Sequence, residues 1–406
     1  VNVKGVNQKQ IKTTNQSLIV REIRRAGTLS RSALAKRLML SAPTVSANID
    51  DLIARGIIRE TGAGVSARGR KPIKLEFNTS YGYVAAVDMS SSRIRIALAD
   101  LGELHILEYA HVDQTLHITP AVIERTLDEI ESLLEKRQIP HDKLLCICMA
   151  SPGIFDPRTG AIRYAPRIRD MQGTDLIDLV NKRFATDILL KNDTNCSAVG
   201  EHLYGLGRNY RNFINVQIDV GLGAGLILND RLFEGASGSA GEIGLWIMNE
   251  KEMRGGKRIA LDDYADYHIS VFGLLSKIQK RYPDIFSGLG YDEIPSHLVE
   301  KYADIMFAMA RAGDVRALSV IREGAIEFGC MIKNVLELLD LEAVIIGGLI
   351  LEIAPIYTDM LHSFLLKIMN REVHVVASDL GDKSVLYGAI GEAIQRTIDN
   401  IIMNPR

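Results

Sequence analysis

Cysteine is scarce in this chain, with four among 406 residues: Cys146, Cys148, Cys196 and Cys330. That is too few and too scattered for a disulfide framework, and a reducing, cytoplasmic setting is expected. Long apolar runs are missing too. No window of about 18 consecutive apolar residues occurs, which argues against a membrane-crossing helix. The opening stretch VNVKGVNQKQIKTTNQ lacks the apolar h-region of a secretory signal, so no membrane association is expected. Glycine (34) and proline (11) are not enriched, and the net charge is only −2. What is present is ordinary for a globular chain, with 47% hydrophobic and 24% charged residues. Its 406 residues leave room for two or three domains and a sizeable core.

The small net charge conceals an asymmetry. Residues 1–77 hold fifteen Lys/Arg against five Asp/Glu, whereas residues 78–406 hold 33 against 45. A basic head on an acidic body suits a polyanionic partner at the head. Helical signals follow one another quickly there. Asn15 or Thr14 can cap a first helix carrying Leu18, Ile19, Ile23 and Ala26, stopped by Gly27. Ser30 caps a second, RSALAKRLM, with Leu34, Ala35 and Leu38 on one face. After a Leu40-Ser41 turn, a third runs from Ala42 to Ala54, with Pro43 tolerated in its first turn because that N–H would be unpaired anyway. Val45, Ile49, Leu52 and Ile53 form its apolar set, which leaves Ser41, Thr44, Ser46, Ala47 and Asn48 for an outward face.

Two short helices joined by a tight turn fit the helix-turn-helix unit, whose second helix presents its N-terminal side chains to base edges in the major groove. IIRET and PIKLEF pair as strands around GAGVSARGRK, a Gly-rich wing. Its Arg68, Arg70 and Lys71 suit phosphate or minor-groove contact. A three-helix interaction module with a basic hairpin is the plainer alternative. Asn78–Gly82 reads as a linker between a head at 1–77 and a body at 83–406. For residues 1–13, a disordered tail and a packing arm both stay open.

In the body the pattern becomes strand-rich, then helical, twice over. YVAAVDM, RIRIALAD and HILEYAHV read as neighbouring strands, PAVIERTLDEIESLLEKR as an amphipathic helix, and LLCICMA as an apolar strand before Ser151-Pro152-Gly153. Later, INVQIDVGLGAGLILNDRLF reads as a hairpin and LEAVIIGG as a strand ending in two glycines. Two such halves predict an α/β body of two lobes, with ligands in the crevice at the strand ends. Cys146 and Cys148 fall on one face of an apolar strand and read as core. Helices in 263–330 and beyond read as scaffold whose apolar faces serve either the core or a dimer contact.

These residues carry a resemblance. The run S-x-x-x-L-A-x-x-x-x-L-S-x-x-T-V-S from Ser30 onward is similar to the winged-helix heads of bacterial repressors. Gly69-Arg70-Lys71-Pro72 resembles the G-R-x-P wing of the ROK group (repressors, open reading frames and kinases). The body resembles the same group through SPGIFDPRTGAIRYAP (151–166), KNDTNCSAVGE (191–201), VGLGAGLILNDRLFEGASGSAGEIG (220–244), IIGG (345–348) and YGAIGEA (387–393). The resemblance implies a winged head on a two-lobed body of the actin-like ATPase, ribonuclease H-like class. It further implies sugar contacts from Gly153, Asn192, Asp193, Glu242 and, in place of the family's last Glu, Asp262. In the family's kinases, Asp193 is the position of the base that takes the proton from the attacking hydroxyl. A helix cap is its plainer role.

Departures from the family pattern matter as much. The first phosphate loop, D-x-G-G-T in the family, reads Asp88-Met89-Ser90-Ser91-Ser92, which puts Cβ atoms where backbone must approach phosphate. The second, G-T-G-x-G, reads Asp219-Val220-Gly221-Leu222-Gly223. Here a hydroxyl becomes a methyl, and an added carboxylate repels a triphosphate by about 4 kcal/mol per charge pair at ~4 Å and an effective dielectric near 20, before screening. The family's zinc ligands, one His and three Cys, fall on Leu245, Met253, Gly255 and Ala260. No ATP, no zinc and no catalysis are therefore expected. The reading is a regulator, homodimeric or homotetrameric, that binds operator DNA and answers to a sugar or sugar phosphate. A sugar kinase retaining a DNA-binding head, and a regulator controlled by a protein partner, are the alternatives.

Overall fold

The computed structural model describes residues 7–63, 73–91, 93–113, 117–156, 159, 161–165, 168, 173–248, 263–289, 294–295 and 298–403. The first helix, α1 (Gln8–Ala26), starts two turns earlier than its apolar spacing suggests. Asn7 accepts from the Gln10 amide at 2.8 Å while the Gln10 side chain accepts from the Asn7 amide at 3.0 Å, a reciprocal cap that fixes the start. From residue 7 onward the basic N-terminal stretch is thus helical; its side chains stay exposed, with Lys12 reaching Asp51 of the head at 2.7 Å. β1 (Thr28–Ser30), α2 (Arg31–Leu38) and α3 (Ala42–Ala54) follow, with Ser30 and Ser41 capping the two helices. β2 (Ile58–Ala63) and β3 (Ile73–Phe77) pair antiparallel, and β1 joins β3 to complete a small sheet.

The body holds two sheets of the same design. In the first lobe β4 (Tyr83–Asp88), β5 (Arg93–Asp100) and β6 (Ile106–Asp113) form an antiparallel meander. α4 (Pro120–Lys136) leads to β7 (Leu144–Ser151), which lies parallel to β4. The short hairpin β8 (Ile154–Phe155) and β9 (Ile162–Tyr164), then α5 (Gly173–Arg183), lead to β10 (Asp187–Asn192), parallel to β7 at the sheet edge. The order is β10-β7-β4-β5-β6.

After α6 (Asp193–Tyr204) the plan repeats: β11 (Phe213–Ile218), β12 (Leu222–Leu228) and β13 (Arg231–Leu232) form a meander. Helices α7 (Ala265–Ile269), α8 (Val271–Arg281), α9 (Val299–Arg311) and α10 (Val315–Leu339) follow. β14 (Ala343–Gly347), α11 (Ala354–Ile368) and β15 (His374–Ala377) then complete the order β13-β12-β11-β14-β15. The two lobes and the winged head are those expected from the sequence.

The last helix, α12 (Ser384–Met403), returns to the first lobe and crosses α6. The crossing is close because it is made of small residues: a Cβ on Gly388 would stand 1.7 Å from the Cys196 carbonyl oxygen, and one on Gly200 2.1 Å from that of Ser384. Cys146, Cys148 and Cys196 lie buried under α12, as core. One segment, Leu349–Ile368, has the length and mean hydropathy (1.4) of a membrane span. It is broken into a 3₁₀ turn and α11, whose Tyr357, Leu361 and Leu365 belong to the second-lobe core.

Candidate functional site

The head presents the N-terminus of α3. The Ser41 hydroxyl accepts from the Thr44 amide at 3.3 Å and lies 2.8 Å from the Thr44 hydroxyl, so both are held at the helix start. Ser41 and Ala47 are exposed, and Thr44 and Ser46 partly so. Asn48 departs from the expected outward face. It is buried, its amide donating to the Thr44 carbonyl at 2.8 Å, because positions 45, 48, 49 and 52 share one helical stripe. Each of the head's five carboxylates meets a head cation: Glu22 with Arg37, Asp50 and Glu60 with Arg31, Asp51 with Lys12, Glu76 with Arg59. The surplus positive charge is therefore not neutralised within the head. Arg68, Arg70 and Lys71, the wing candidates, lie outside the described residues.

Head and body are joined by more than a tether. Residues 79–81 form a 3₁₀ turn; Asn78 donates to the Ile57 and Gly56 carbonyls (2.9 Å each), and Leu101 donates to that of Thr79 (3.1 Å). Ile19, Ile23, Leu34, Ile49 and Leu52 of the head share one buried apolar cluster with Val84, Cys148, Ile394, Ile398 and Ile402 of the body. Arg55, at the C-terminus of α3, donates to the Ile401 carbonyl of α12. Burial between the head and the body lowers the basicity of the Arg24 guanidinium of α1.

Between the lobes, α6 begins at Asn192-Asp193. The expected helix cap falls on Asn192, not Asp193: its Oδ1 accepts from the Asn195 amide (2.9 Å) and the Thr194 hydroxyl (2.7 Å), and its Nδ2 donates to the Gly153 carbonyl (2.8 Å). Asn192 thus spends its amide on locking Gly153, whose φ of +147° suits glycine, against the start of α6. The Asp193 carboxyl is left to face the cleft, and burial, then the nearby Asp88 charge, push it up to about 7. The same Thr194 hydroxyl also lies 3.1 Å from the Ala224 carbonyl, sharing its proton, and the Ala224 amide donates to that of Gly241 (3.0 Å). These links bring the loop bearing Glu242 beside the pair, and burial raises the Glu242 carboxyl as well. Gly153, Asn192 and Asp193 therefore sit together at the start of α6, and the backbone links tie the loop that carries Glu242 to the same helix. Asp262 lies outside the described residues.

Below them lie the two loops between the first strands of each lobe. Asp88, 0% exposed, accepts the Ser90 amide (2.9 Å) and the Arg95 guanidinium (2.5 Å), which also reaches Asp382 at 2.7 Å. Asp219 accepts from the Val220 amide at 2.8 Å, and burial raises its carboxyl. Asp266 accepts from the Leu222 amide (2.5 Å), and burial pushes it up to about 6.

Residues 84–396 match the ROK family, and residues 11–69 match the MarR family. The chain belongs to the ROK family. A xylose repressor of Caldicellulosiruptor bescii is 28% identical over 402 residues, covering 96% of this chain and 97% of the relative. The DNA-binding transcriptional dual regulator NagC of Escherichia coli is 24% identical over 408 residues, covering 98% and 96%. The fold follows that of a ROK family transcriptional regulator, a homolog of the E. coli MLC protein (TM-score 0.79, 23% identity, 97% of this chain and 98% of that one). A ROK family glucokinase from Streptomyces griseus overlays the body (TM-score 0.61, 22% identity, 77% and 100%).

Against the ROK pattern, Leu245 stands 53% exposed where the family has a zinc-binding His, and its side chain offers no lone pair. The other three ligand positions, Met253, Gly255 and Ala260, lie outside the described residues, as does Ser92 of the first loop. Arg95 and Asp382 were not singled out in the sequence. Their pairing spans 287 positions, and no local pattern announces it.

Proposed function

We propose that this ROK protein is a DNA-binding repressor that responds to a sugar or sugar phosphate and has lost kinase activity. The observation that carries the reading is the single apolar core shared by the winged head and the first lobe. A head docked in this way senses the body's state, whereas a tethered one would not. The repressor names of relatives that span head and body alike support it.

The chemistry of the cleft fits a polyol. The Asp193 and Glu242 carboxylates accept hydroxyl hydrogen bonds, and Gly153, pinned by Asn192, lets backbone approach the ring. Loss of phosphoryl transfer is supported by Asp88. In a kinase loop this carboxylate would face a nucleotide and its cation; here a guanidinium already answers it. No zinc and no ATP are part of this proposal.

Ligand closing the lobes acts on the α6–α12 pair. Ser197 of α6 donates to Ser384 of α12 (2.8 Å) and accepts from Asn215 and Gln217 of β11 (2.8 and 2.7 Å), so both helices feel the second lobe. The far end of α12 touches the head at Arg55, and α6 reaches the head through its packing on α12. Sugar changes DNA affinity only to the extent that it binds the DNA-competent and incompetent arrangements differently. We further propose a cytoplasmic homodimer or homotetramer acting on double-stranded operator DNA.

Capture of genomic fragments by the full chain, repeated across a sugar panel, tests the reading. Specific fragments should be retained and then released or tightened by one sugar. The kinase alternative draws on Asp193, whose proton affinity near neutrality suits a general base. Sugar-dependent ATP turnover above background would favour it.

A further inference from the structure

Arg31 is the first residue of α2, whose first turn holds no acidic side chain. A cation at that end of a helix meets the positive pole of its dipole, the unfavourable one. Partners on two other elements answer it. Its Nη1 lies 2.7 Å from the Asp50 carboxylate and 3.4 Å from the Ser46 carbonyl, both on α3. Its Nη2 lies 3.3 Å from the Glu60 carboxylate on β2, the strand that precedes the basic loop.

These two carboxylates stand in an awkward place for a head that meets a polyanion. Around α3, Asp50 falls about 40° from Ser46 and about 60° from Ala47, so it shares their outward face. Its side chain is 66% exposed and that of Glu60 42%. Left unanswered, both would repel phosphate. Exposed ion pairs add little to stability, so the worth of this cluster lies in geometry. The planar fork of an arginine fixes the direction between its partners, as a point charge does not.

We propose that Arg31 is a positioning residue: it clamps the recognition helix α3 to the strand β2 in the arrangement that reads an operator, without touching DNA itself. The inference rests on the DNA-binding reading above. With the guanidinium held by Asp50, Glu60 and the Ser46 carbonyl, α3 and β2 meet the duplex as one body.

The test is the affinity of the full chain for a captured genomic fragment and for a shuffled fragment of equal length, under the conditions of capture and across about 50 to 200 mM salt. Asp50→Ala combined with Glu60→Ala is the decisive variant, because charge and geometry oppose each other there. On charge alone, removing two carboxylates tightens binding to any duplex. Loss of the clamp weakens the specific complex instead. The double variant should bind the captured fragment more weakly than the parent and the shuffled one no more weakly, so that discrimination falls at least fivefold. Arg31→Gln should lose discrimination to the same extent and keep the parent's slope of log affinity against log salt, since no phosphate contact goes with it. Thermal midpoints show which variants fold, and the double variant, altered only at exposed positions, suffices alone. Tighter binding of the captured fragment by the double variant, or a loss of discrimination below fivefold in either folded variant, would overturn the clamp. A slope that falls by about one in Arg31→Gln would make Arg31 a phosphate contact and overturn it too. A parent that prefers no captured fragment to its shuffled copy would overturn the DNA-binding reading along with the clamp.

Discussion

Asp193 carries its proton into the neutral range because burial and the charge of Asp88 disfavour the carboxylate. Its folded-state value is raised from 3.8 to about 7. The protonated form therefore contributes stability that is fully present below about pH 4 and is lost as pH rises through about 7. Asp193→Asn removes that loss, so its thermal midpoint should gain on the parent between pH 5 and pH 8; parallel curves would contradict the assignment. Arg95 is the opposite case, a cation that a buried carboxylate depends on. Arg95→Met should cost about 3–5 kcal/mol in urea unfolding, as expected when one partner of a buried pair is removed, and adding Asp88→Asn should recover most of it. Met39 sits in the left-handed region (φ 54°) with 92% of its surface exposed. Met39→Gly should stabilise the head by about 1 kcal/mol, read as the same urea transition. Residue roles were unevenly legible. Asn48 could have been placed inside from its spacing to Val45, Ile49 and Leu52. Asn192 as the cap could not, since Asn and Asp both cap helices well.

The elements were easier to read than the contacts between them. α2 and α3 follow from Ser30, Ser41 and Pro43, whose chemistry is local. The start of α1 was missed because the Asn7–Gln10 cap lies in a polar stretch with no apolar period to extend. α12 was legible only as a glycine-bearing segment, and its crossing of α6 depends on partners nearly two hundred positions away. That crossing makes a prediction. Gly388→Ala puts a methyl into the Cys196 carbonyl, and relieving it must part the helices. It should cost about 1–3 kcal/mol of stability, as overpacking does. It should also shrink the effect of sugar on DNA affinity. Equal sugar responses in the Gly388 variant and the parent would show that the helix pair does not transmit.

For the whole molecule, the charge asymmetry and the order of motifs exposed both the winged head and the two-lobed body, because each depends on composition and period along the chain. The docking of one on the other was not visible, since Arg55 and Ile401 meet only after the body has folded. The account's central claim lives at this scale: occupancy of the cleft and DNA affinity of the head are one coupled equilibrium. The direct measurement is the affinity of the chain for a captured operator fragment at ~150 mM salt, without sugar and with a sugar shown by calorimetry to saturate the cleft. The account predicts a shift of at least fivefold, near the lower end of typical coupling, absent in Glu242→Gln under the same sugar concentration. An operator affinity unchanged by saturating, calorimetrically verified ligand would contradict it.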